Sequence, residues 1–143
     1  MSQLEGKVII VTGAGRGVGR GVALACARAG ASVVVNDLGA SLSGADTSVS
    51  PAEEVVSEIA ALGGYAAADG NDVSSWDGAH AIVERAVTTF GRIDAVVNNA
   101  GNLRDALFHK MTEEEFDAVI KVHLKGSFNV SRAAAPHFKQ QMS

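Results

Sequence analysis

Residues 12–19 read Thr-Gly-Ala-Gly-Arg-Gly-Val-Gly, and this stretch decides the fold. It follows a run of four apolar residues at 8–11 and opens a segment with helical periodicity. Between a strand and a helix, Gly13 allows a tight turn, Gly17 lets the backbone approach a phosphate, and Gly19 lets the helix pack closely on the strand. The N–H groups at the start of the helix would then face the phosphates. The stretch therefore predicts a loop that binds the pyrophosphate of a dinucleotide.

The rest of the chain alternates short β-branched runs with longer amphipathic segments. We predict four strands, at residues 8–11, 32–35, 65–68 and 93–97, and four helices, at residues 17–29, 51–62, 75–90 and 113–138. The first, second and fourth runs are nearly all apolar, which is typical of strands buried on both faces of a parallel sheet. Ser50 and Thr112 each stand three residues before a Glu, the signature of a helix capping box. The order predicts a Rossmann-like α/β fold, with a doubly wound parallel sheet in a three-layer α/β/α arrangement.

Composition and charge exclude several classes of protein. A net charge of −4 without a basic cluster argues against a nucleic-acid partner, because duplex affinity comes chiefly from Lys and Arg on phosphates. No apolar run approaches the ~20 residues of a membrane helix and the first residues lack a signal-peptide pattern, so we expect a cytoplasmic protein without a membrane partner. Cys26 is the only cysteine, so we expect no disulfide within the chain. His123 and His137 would lie roughly 21 Å apart on one helix, so we expect no metal site.

Residues 39–50 are rich in Ser, Gly and Ala, which predicts a mobile surface loop.

Asp37 indicates which dinucleotide the loop binds. It ends the second predicted strand, 18 residues after Gly19. This is near the spacing at which an acidic side chain accepts hydrogen bonds from the adenosine ribose hydroxyls. A carboxylate there repels the 2′-phosphate of NADP, so the sequence favours NAD. Arg16 acts in the opposite direction, because a guanidinium inside the loop could pair with a phosphate, and NADP stays the alternative.

Two motifs occur together, Thr-Gly-x-x-x-Gly-x-Gly at 12–19 and Asn-Asn-Ala-Gly at 98–101, directly after the fourth predicted strand. Together they resemble the short-chain dehydrogenase/reductase family. The Gly-x-Gly-x-x-Gly loop of many other Rossmann enzymes fits poorly, because Val18 occupies its last glycine position. The resemblance implies that the cofactor is bound by Thr12, Gly13, Gly15, Arg16, Gly17, Val18 and Gly19 in the loop, by Asp37 at the ribose, by Asp72 and Val73 at the adenine, and by Asn99, Ala100 and Gly101.

Further stretches point to one branch of the family. They are residues 36–39 with the long Ser/Gly-rich loop after them, residues 91–94, residues 103–105 and residues 122–128. They are similar to the (3R)-hydroxyacyl-CoA dehydrogenase branch of the family, which includes the dehydrogenase portion of peroxisomal multifunctional enzymes and bacterial relatives. This implies an NAD-dependent oxidoreductase that interconverts a hydroxyl and a carbonyl on a 3-hydroxyacyl-CoA type thioester, and that forms a homodimer or homotetramer when intact. Two alternatives stay open: an NADPH-dependent 3-oxoacyl-carrier-protein reductase of the same family, and a non-catalytic nucleotide-binding subunit or fragment.

The family's catalytic Ser, Tyr and Lys have no complete counterpart in the chain. Family members lower the pKa of the Tyr with a Lys four residues later. Here the only tyrosine is Tyr65, in a predicted strand, and residue 69 is Asp. The resemblance therefore implies that residues 1–143 are the NAD-binding Rossmann half of a family domain, truncated after the helix that follows strand four and inactive alone. Such a chain leaves the apolar edge of its fourth strand unpaired, which predicts aggregation or a need for a partner.

His123 is the one candidate for a catalytic part. The resemblance places it where most members carry an Asn that anchors a proton-relay water, and an imidazole could hold a water in the same way. Helical spacing sets it on one stripe with Phe116, Ile120, Ser127 and Val130, so we expect His123 to face the sheet rather than solvent. An ordinary hydrogen-bonded, semi-buried histidine is the alternative interpretation.

Overall fold

The computed structural model describes residues 2–39 and 49–142. Its elements are β1 (Val8–Val11), α1 (Gly17–Arg28), β2 (Ser32–Asn36), α2 (Pro51–Ala61), β3 (Tyr65–Asp69), α3 (Trp76–Phe90), β4 (Ala95–Val97), a 3-10 turn (Phe108–Lys110), α4 (Glu113–Ile120), a π-helical segment (Lys121–Lys125) and α5 (Gly126–Gln141). The predicted alternation of strands and helices is confirmed, although the fourth strand begins at Ala95 rather than at residue 93. Residues 40–48, most of the predicted surface loop, lie outside the described part of the chain.

All four strands run parallel, in the order β3-β2-β1-β4. Val11 is in register with Val35 on one side and with Val97 on the other, so the strands end at a common edge of the sheet. The chain builds outward from β1 to β2 and β3, and then crosses to the other side of β1 to form β4. This reversal is a topological switch point, beyond which a doubly wound sheet leaves a crevice. The predicted Rossmann-like class is confirmed.

Apolar side chains cover both faces of the sheet. On one face, Ile9, Val33 and Val35 pack with residues of α1 and α2. On the other face, Ile10 and Val34 pack with residues of α3 and α5. Successive side chains of a strand point to opposite faces, so central strands of a three-layer fold must be apolar throughout. In the described part of the chain, no helix has the length and apolar character that crossing a bilayer requires.

Ser50 and Thr112 both cap their helices, but only Ser50 forms the full capping box that was predicted for both. Ser50 Oγ accepts a hydrogen bond from the Glu53 N–H at 3.2 Å, and Glu53 Oε2 accepts one from the Ser50 N–H at 3.2 Å. Thr112 caps α4 by accepting from the Glu115 N–H at 3.1 Å. The cap of α2 also sets Pro51 at the start of that helix, where it lies close to the glycine loop.

The last predicted helix, at residues 113–138, is not one regular α-helix in the structure. A π-helical segment, Lys121–Lys125, separates α4 from α5. A π-turn holds more residues than an α-turn, so it rotates the residues that follow it relative to a regular 3.6-residue stripe. Phe116 is 55% exposed, and His123 is exposed as well. The expectation that His123 faces the sheet is therefore wrong. Val130 of the same predicted stripe is buried as expected, and Asn129 is buried beside it.

Asp94 joins the start of β1 to the start of β4. Its Oδ2 accepts hydrogen bonds from the Val8 N–H at 2.9 Å and from Arg92 Nε at 2.8 Å. Burial of the Asp94 carboxyl acts to raise its pKa, but the bonds from Arg92 and Val8 and the positive charges of Arg92 and Lys7 outweigh burial, so the pKa lies below its ordinary value. The fold therefore favours the ionised form of this side chain.

We expect Asp94→Asn to lower the free energy of unfolding by roughly 1–3 kcal/mol at pH 7, because charge-assisted hydrogen bonds are lost. A carboxyl with a lowered folded pKa stabilises the fold fully above its unfolded pKa, about 3.9, and this contribution is lost as the pH falls through the folded pKa. The advantage of wild type over the variant should therefore shrink below about pH 4. Urea unfolding at pH 7 and pH 3 measures it, with Asp117→Asn on exposed α4 as the control. An advantage that is constant over this range would contradict the assignment.

Candidate nucleotide-binding site

The glycine loop joins β1 to α1 and contains two residues in the left-handed region. The φ angle is +62° at Gly13 and +58° at Gly17. A Cβ on Gly13 would lie 2.8 Å from the Cα of Ala100, whereas a Cβ on Gly17 would meet nothing within 4 Å. Gly13 is therefore required by close packing, and Gly17 borders open space at the start of α1. The exposed N-cap residue Arg16 gives α1 no side-chain cap.

Thr12 and Asn99 tie the glycine loop to the loop that follows β4. The buried Thr12 Oγ1 accepts hydrogen bonds from the N–H groups of Asn99 at 3.1 Å and Ala100 at 3.0 Å. In return, Asn99 Nδ2 donates to the Gly13 carbonyl at 3.1 Å. These two side chains thus hold the loops of β1 and β4 together across the switch point. Val18, by contrast, is 76% exposed on the first turn of α1.

Asp37 lies at the tip of β2 against the glycine loop. Its Oδ2 accepts a hydrogen bond from the Gly15 N–H at 3.0 Å, and its Oδ1 accepts one from the Gly39 N–H at 3.0 Å. A Cβ on Gly15 would stand 2.7 Å from this Oδ2 and 2.7 Å from Cβ of Pro51. Gly15 therefore serves a purpose that the sequence did not reveal, because it lets the carboxylate approach the loop.

A cleft of about 220 Å³ opens at this edge of the sheet. It brings together residues from the glycine loop, the tip of β2, the turn after β3 and the loop after β4. Its lining residues are Gly13, Asn36, Asp37, Leu38, Asn71, Asp72, Val73, Ala100, Gly101, Asn102 and Val122. Six of these were singled out from the sequence as cofactor-binding residues. The cleft extends along the carboxyl ends of the strands, where the switch point predicts it.

A polar cluster beside the cleft was missed in the sequence. Asp69 is 7% exposed and accepts hydrogen bonds from Asn36 Nδ2 at 2.8 Å and from Asn71 Nδ2 at 2.8 Å. Asn36 and Asp69 end their strands in register, and the Asp37 N–H donates to the Asp69 carbonyl. The cluster thus fixes the backbone that carries Asp37. The sequence feature that could have predicted the cluster is a polar residue, Asn36 or Asp69, at the end of each of two neighbouring apolar strands.

The Asp72-Val73 turn is held from within and from α5. Asp72 Oδ1 accepts hydrogen bonds from the N–H of Ser74 at 2.8 Å and from its hydroxyl at 2.7 Å. The Val73 carbonyl accepts a bond from Asn129 Nδ2 at 3.0 Å. The role of Asn129 could not be predicted from the sequence, because an amide side chain on a helix does not indicate which carbonyl accepts its hydrogen bond.

His123 contacts the loop after β4 rather than the cleft itself. Its Nε2 lies 2.8 Å from the Asn102 carbonyl and 3.0 Å from the Asn102 N–H. A neutral imidazole nitrogen either donates or accepts, so each tautomer makes one of these two bonds. A Cβ on Gly101 would lie 2.5 Å from the ring, so Gly101 lets the imidazole pack on this backbone.

The sheet order and the loop at its switch point define a Rossmann-like α/β protein. Within that class, residues 7–143 match the family model described as short chain dehydrogenase. The chain therefore belongs to the short-chain dehydrogenase family. This is a family of oxidoreductases that use a nicotinamide cofactor.

Three relatives illustrate the range of the family around this chain. Peroxisomal multifunctional enzyme type 2 of Mus musculus is 48% identical over 97% of the chain and 18% of its own length. Hydroxyacyl-CoA dehydrogenase ChsB1 of Mycobacterium tuberculosis is 42% identical over 98% of the chain and 43% of its own length. The 3-oxoacyl-[acyl-carrier-protein] reductase FabG of Thermotoga maritima is 40% identical over 97% of the chain and 53% of its own length. The predicted resemblance to the family and to its multifunctional enzymes is confirmed.

Solved structures agree with this assignment. A short chain dehydrogenase from Mycobacterium avium superposes with a TM-score of 0.89 at 52% identity, over 97% of this chain and 48% of that one. A 7α-hydroxysteroid dehydrogenase complexed with NADH and 7-oxo glycochenodeoxycholic acid superposes with a TM-score of 0.85 at 36% identity, over 96% of this chain and 50% of that one. The chain thus spans about half or less of the length of the proteins it matches.

Proposed function

We propose that the chain supplies the NAD-binding half of an oxidoreductase that interconverts a hydroxyl and a carbonyl on a 3-hydroxyacyl-CoA type substrate. The observation that carries this proposal is the Asp37 carboxylate, placed against the Gly15 N–H beside a loop that leaves open space before α1. A carboxylate accepts hydrogen bonds from a ribose diol, and the N–H groups of a helix N-terminus bind a pyrophosphate. Bound NAD would supply the hydride acceptor for oxidation of the hydroxyl.

The cleft residues fit the parts of a dinucleotide. The loop from Thr12 to Gly19 would hold the pyrophosphate, with Gly17 leaving room for it. Asp37 would hold the ribose hydroxyls, and the Asp72-Val73 turn would hold the base, since these residues line one cleft. The loop from Asn99 to Gly101 would continue the site towards the reacting end. His123 acts there as a positioning residue in this proposal, because its ring supports the backbone of Asn102.

Charge supports NAD over NADP. No Lys or Arg occurs between Arg28 and Arg85, and this stretch of the sequence contains nine Asp and Glu residues. It includes Asp37, the polar cluster around Asp69 and the Asp72-Val73 turn. Of this acidic stretch, Asp37 and Asp72 line the cleft, and the described lining contains no Lys or Arg, so a 2′-phosphate there would meet carboxylates, and like charges repel. Arg16 is the observation that favours the alternative, an NADPH-dependent 3-oxoacyl-carrier-protein reductase.

The substrate class is supported by relatives rather than by geometry. Hydroxyacyl-CoA dehydrogenase ChsB1 and the multifunctional enzyme are 42% and 48% identical to the chain, and FabG is 40% identical. We propose the acyl-CoA thioester on this basis, together with residues 1–143 as one cofactor-binding unit. Assembly into a homodimer or homotetramer, and the cytoplasmic location, stay predictions.

Titration of the chain with NADH, NADPH and ADP-ribose by calorimetry tests the cofactor assignment. We expect NADH to bind more tightly than NADPH, and ADP-ribose to retain much of the binding because Asp37 and the loop contact the adenosine diphosphate part. Tighter binding of NADPH would support the carrier-protein reductase. Folded chain that releases no heat with any of the three would refute the proposal. In a chain that continues through the family's Ser, Tyr and Lys, oxidation of 3-hydroxybutyryl-CoA tests the substrate, and binding without turnover would favour a non-catalytic subunit.

A further inference from the structure

Asn129 is a buried amide that reaches from α5 to the wall of the cleft. It is 1% exposed, and its Nδ2 donates to the carbonyl of Val73 at 3.0 Å, across 56 residues of sequence. The cleft-lining Val73 is itself 6% exposed. Around Asn129, α5 is apolar, with Val130, Ala133 and Ala134 in the core. Burying an amide in such surroundings is unfavourable unless its hydrogen bonds are made, and the buried Oδ1 of Asn129 has no partner among the described residues, so an apolar side chain would serve packing at least as well.

The bond from Asn129 acts on the peptide unit that positions Asp72. A peptide unit is planar, so the carbonyl of Val73 and the N–H of Ser74 move together. Asn129 holds the carbonyl end of this unit, and the N–H end donates to Asp72 Oδ1 at 2.8 Å. The orientation of the Asp72 carboxylate is thereby coupled to an amide on a distant helix.

Two glycines bring the neighbouring helices up to the same turn. A Cβ on Gly126, one turn before Asn129, would lie 2.7 Å from Cγ2 of Val73. A Cβ on Gly78 in α3 would collide with the carbonyl oxygen of Asp72. The turn is therefore enclosed by α3, by α5 and by the Ser74 hydroxyl, which donates to Asp72 at 2.7 Å. These contacts restrict the orientations that the Asp72 carboxylate can adopt.

We propose that Asn129 is a positioning residue that sets the Asp72 carboxylate for recognition of a base carrying an exocyclic amino group. An ionised carboxylate only accepts hydrogen bonds, so it pairs with the amino group of adenine and opposes a keto oxygen at the same position. This inference rests on the proposed function, in which the Asp72-Val73 turn faces the base.

The test compares NADH with reduced nicotinamide hypoxanthine dinucleotide, in which a keto group replaces the amino group. For wild type we expect a preference for NADH of about tenfold, the ratio expected from one hydrogen bond to a charged group. Asn129→Leu should reduce this preference to about twofold, because the peptide unit is no longer fixed. Partial unfolding of a variant weakens the binding of both dinucleotides by the same factor. The ratio of their Kd values therefore does not change if the substitution only destabilises the fold.

Matched variants separate the possible outcomes. Ser131→Ala removes a hydrogen bond to Asn98 from the same helix and should leave the ratio unchanged. Asp72→Asn should lower the ratio as far as Asn129→Leu does, and the double variant should lower it no further. Should Asn129→Leu fail to fold, Gly126→Ala keeps the amide but displaces Val73, and it should lower the ratio as well. A wild type that binds neither dinucleotide would refute the proposed function. If wild type binds both but does not prefer NADH, only the role of Asn129 is overturned. The same holds if the folded variants keep the wild-type ratio of Kd values.

Discussion

Replacing Gly19 by alanine is expected to destabilise the chain by about 3 kcal/mol and to abolish measurable binding of NADH. A Cβ at this position would intrude on the carbonyl oxygen of Gly13 and on Nδ2 of Asn99. These two atoms are the partners of the hydrogen bond that ties the glycine loop to the loop after β4. Overpacking of a closed site costs about 1–3 kcal/mol, and loss of a partly buried hydrogen bond adds to it. Urea unfolding and NADH titration measure the two effects.

Gly21 provides the matched control on the same helix. It lies two residues later in α1, it is exposed, and a Cβ there would meet nothing within 4 Å. Alanine is favoured over glycine in a helix interior by roughly 0.5–1 kcal/mol, so Gly21→Ala should stabilise the chain without affecting binding. If Gly→Ala lowers the free energy of unfolding at position 19 but raises it at position 21, the effect at Gly19 is due to its contacts. If Gly19→Ala proves as stable as wild type, Gly19 does not pack against the Gly13 carbonyl and Asn99 as closely as the structure indicates.

Local patterns were sufficient to predict the fold. Burial on both faces makes β1 and the centre of β2, residues 33–35, apolar. The caps at Ser50 and Thr112 mark helix starts through bonds between residues three apart. Such patterns can be recognised in the sequence because they depend on residues that are close together along the chain. The order of elements then limits the topology to a doubly wound sheet. The phosphate loop was predicted for the same reason, since it directly joins a strand to a helix.

The interactions that the sequence did not reveal are those between distant segments. The π-helical segment that contains His123 has no signature in composition, and the exposure of His123 was not predicted. The bond from Asn129 to Val73 joins residues 56 positions apart. Gly15 was assigned to the cofactor loop, but its close contact with Asp37 was not predicted. Each of these contacts depends on how whole helices and strands pack, which residue spacing alone does not determine.

Asp37→Asn is expected to remove most of the preference for NADH over NADPH. The substitution keeps the shape of the side chain but removes the charge that would repel a 2′-phosphate. Two unit charges about 6 Å apart at an effective dielectric constant of about 20 repel by about 3 kcal/mol, so we expect the ratio of Kd values to change by about 100-fold. Binding of NADH itself should weaken about tenfold, because charge-assisted hydrogen bonds to the ribose become neutral ones. Calorimetric titration with both dinucleotides measures the ratio.

Salt distinguishes this electrostatic explanation from a steric one. Added salt screens the repulsion between Asp37 and a 2′-phosphate, so the wild-type preference for NADH should decline between 0.05 and 0.5 M, about a threefold fall in Debye length, while the preference of Asp37→Asn should vary little. Asp77→Asn removes the same charge from the exposed first turn of α3, outside the residues that line the cleft, and should leave the ratio within about twofold of wild type. A preference that is insensitive to salt and survives Asp37→Asn would mean that the cleft excludes the phosphate by shape, and Arg16 would then become the residue to examine for NADPH.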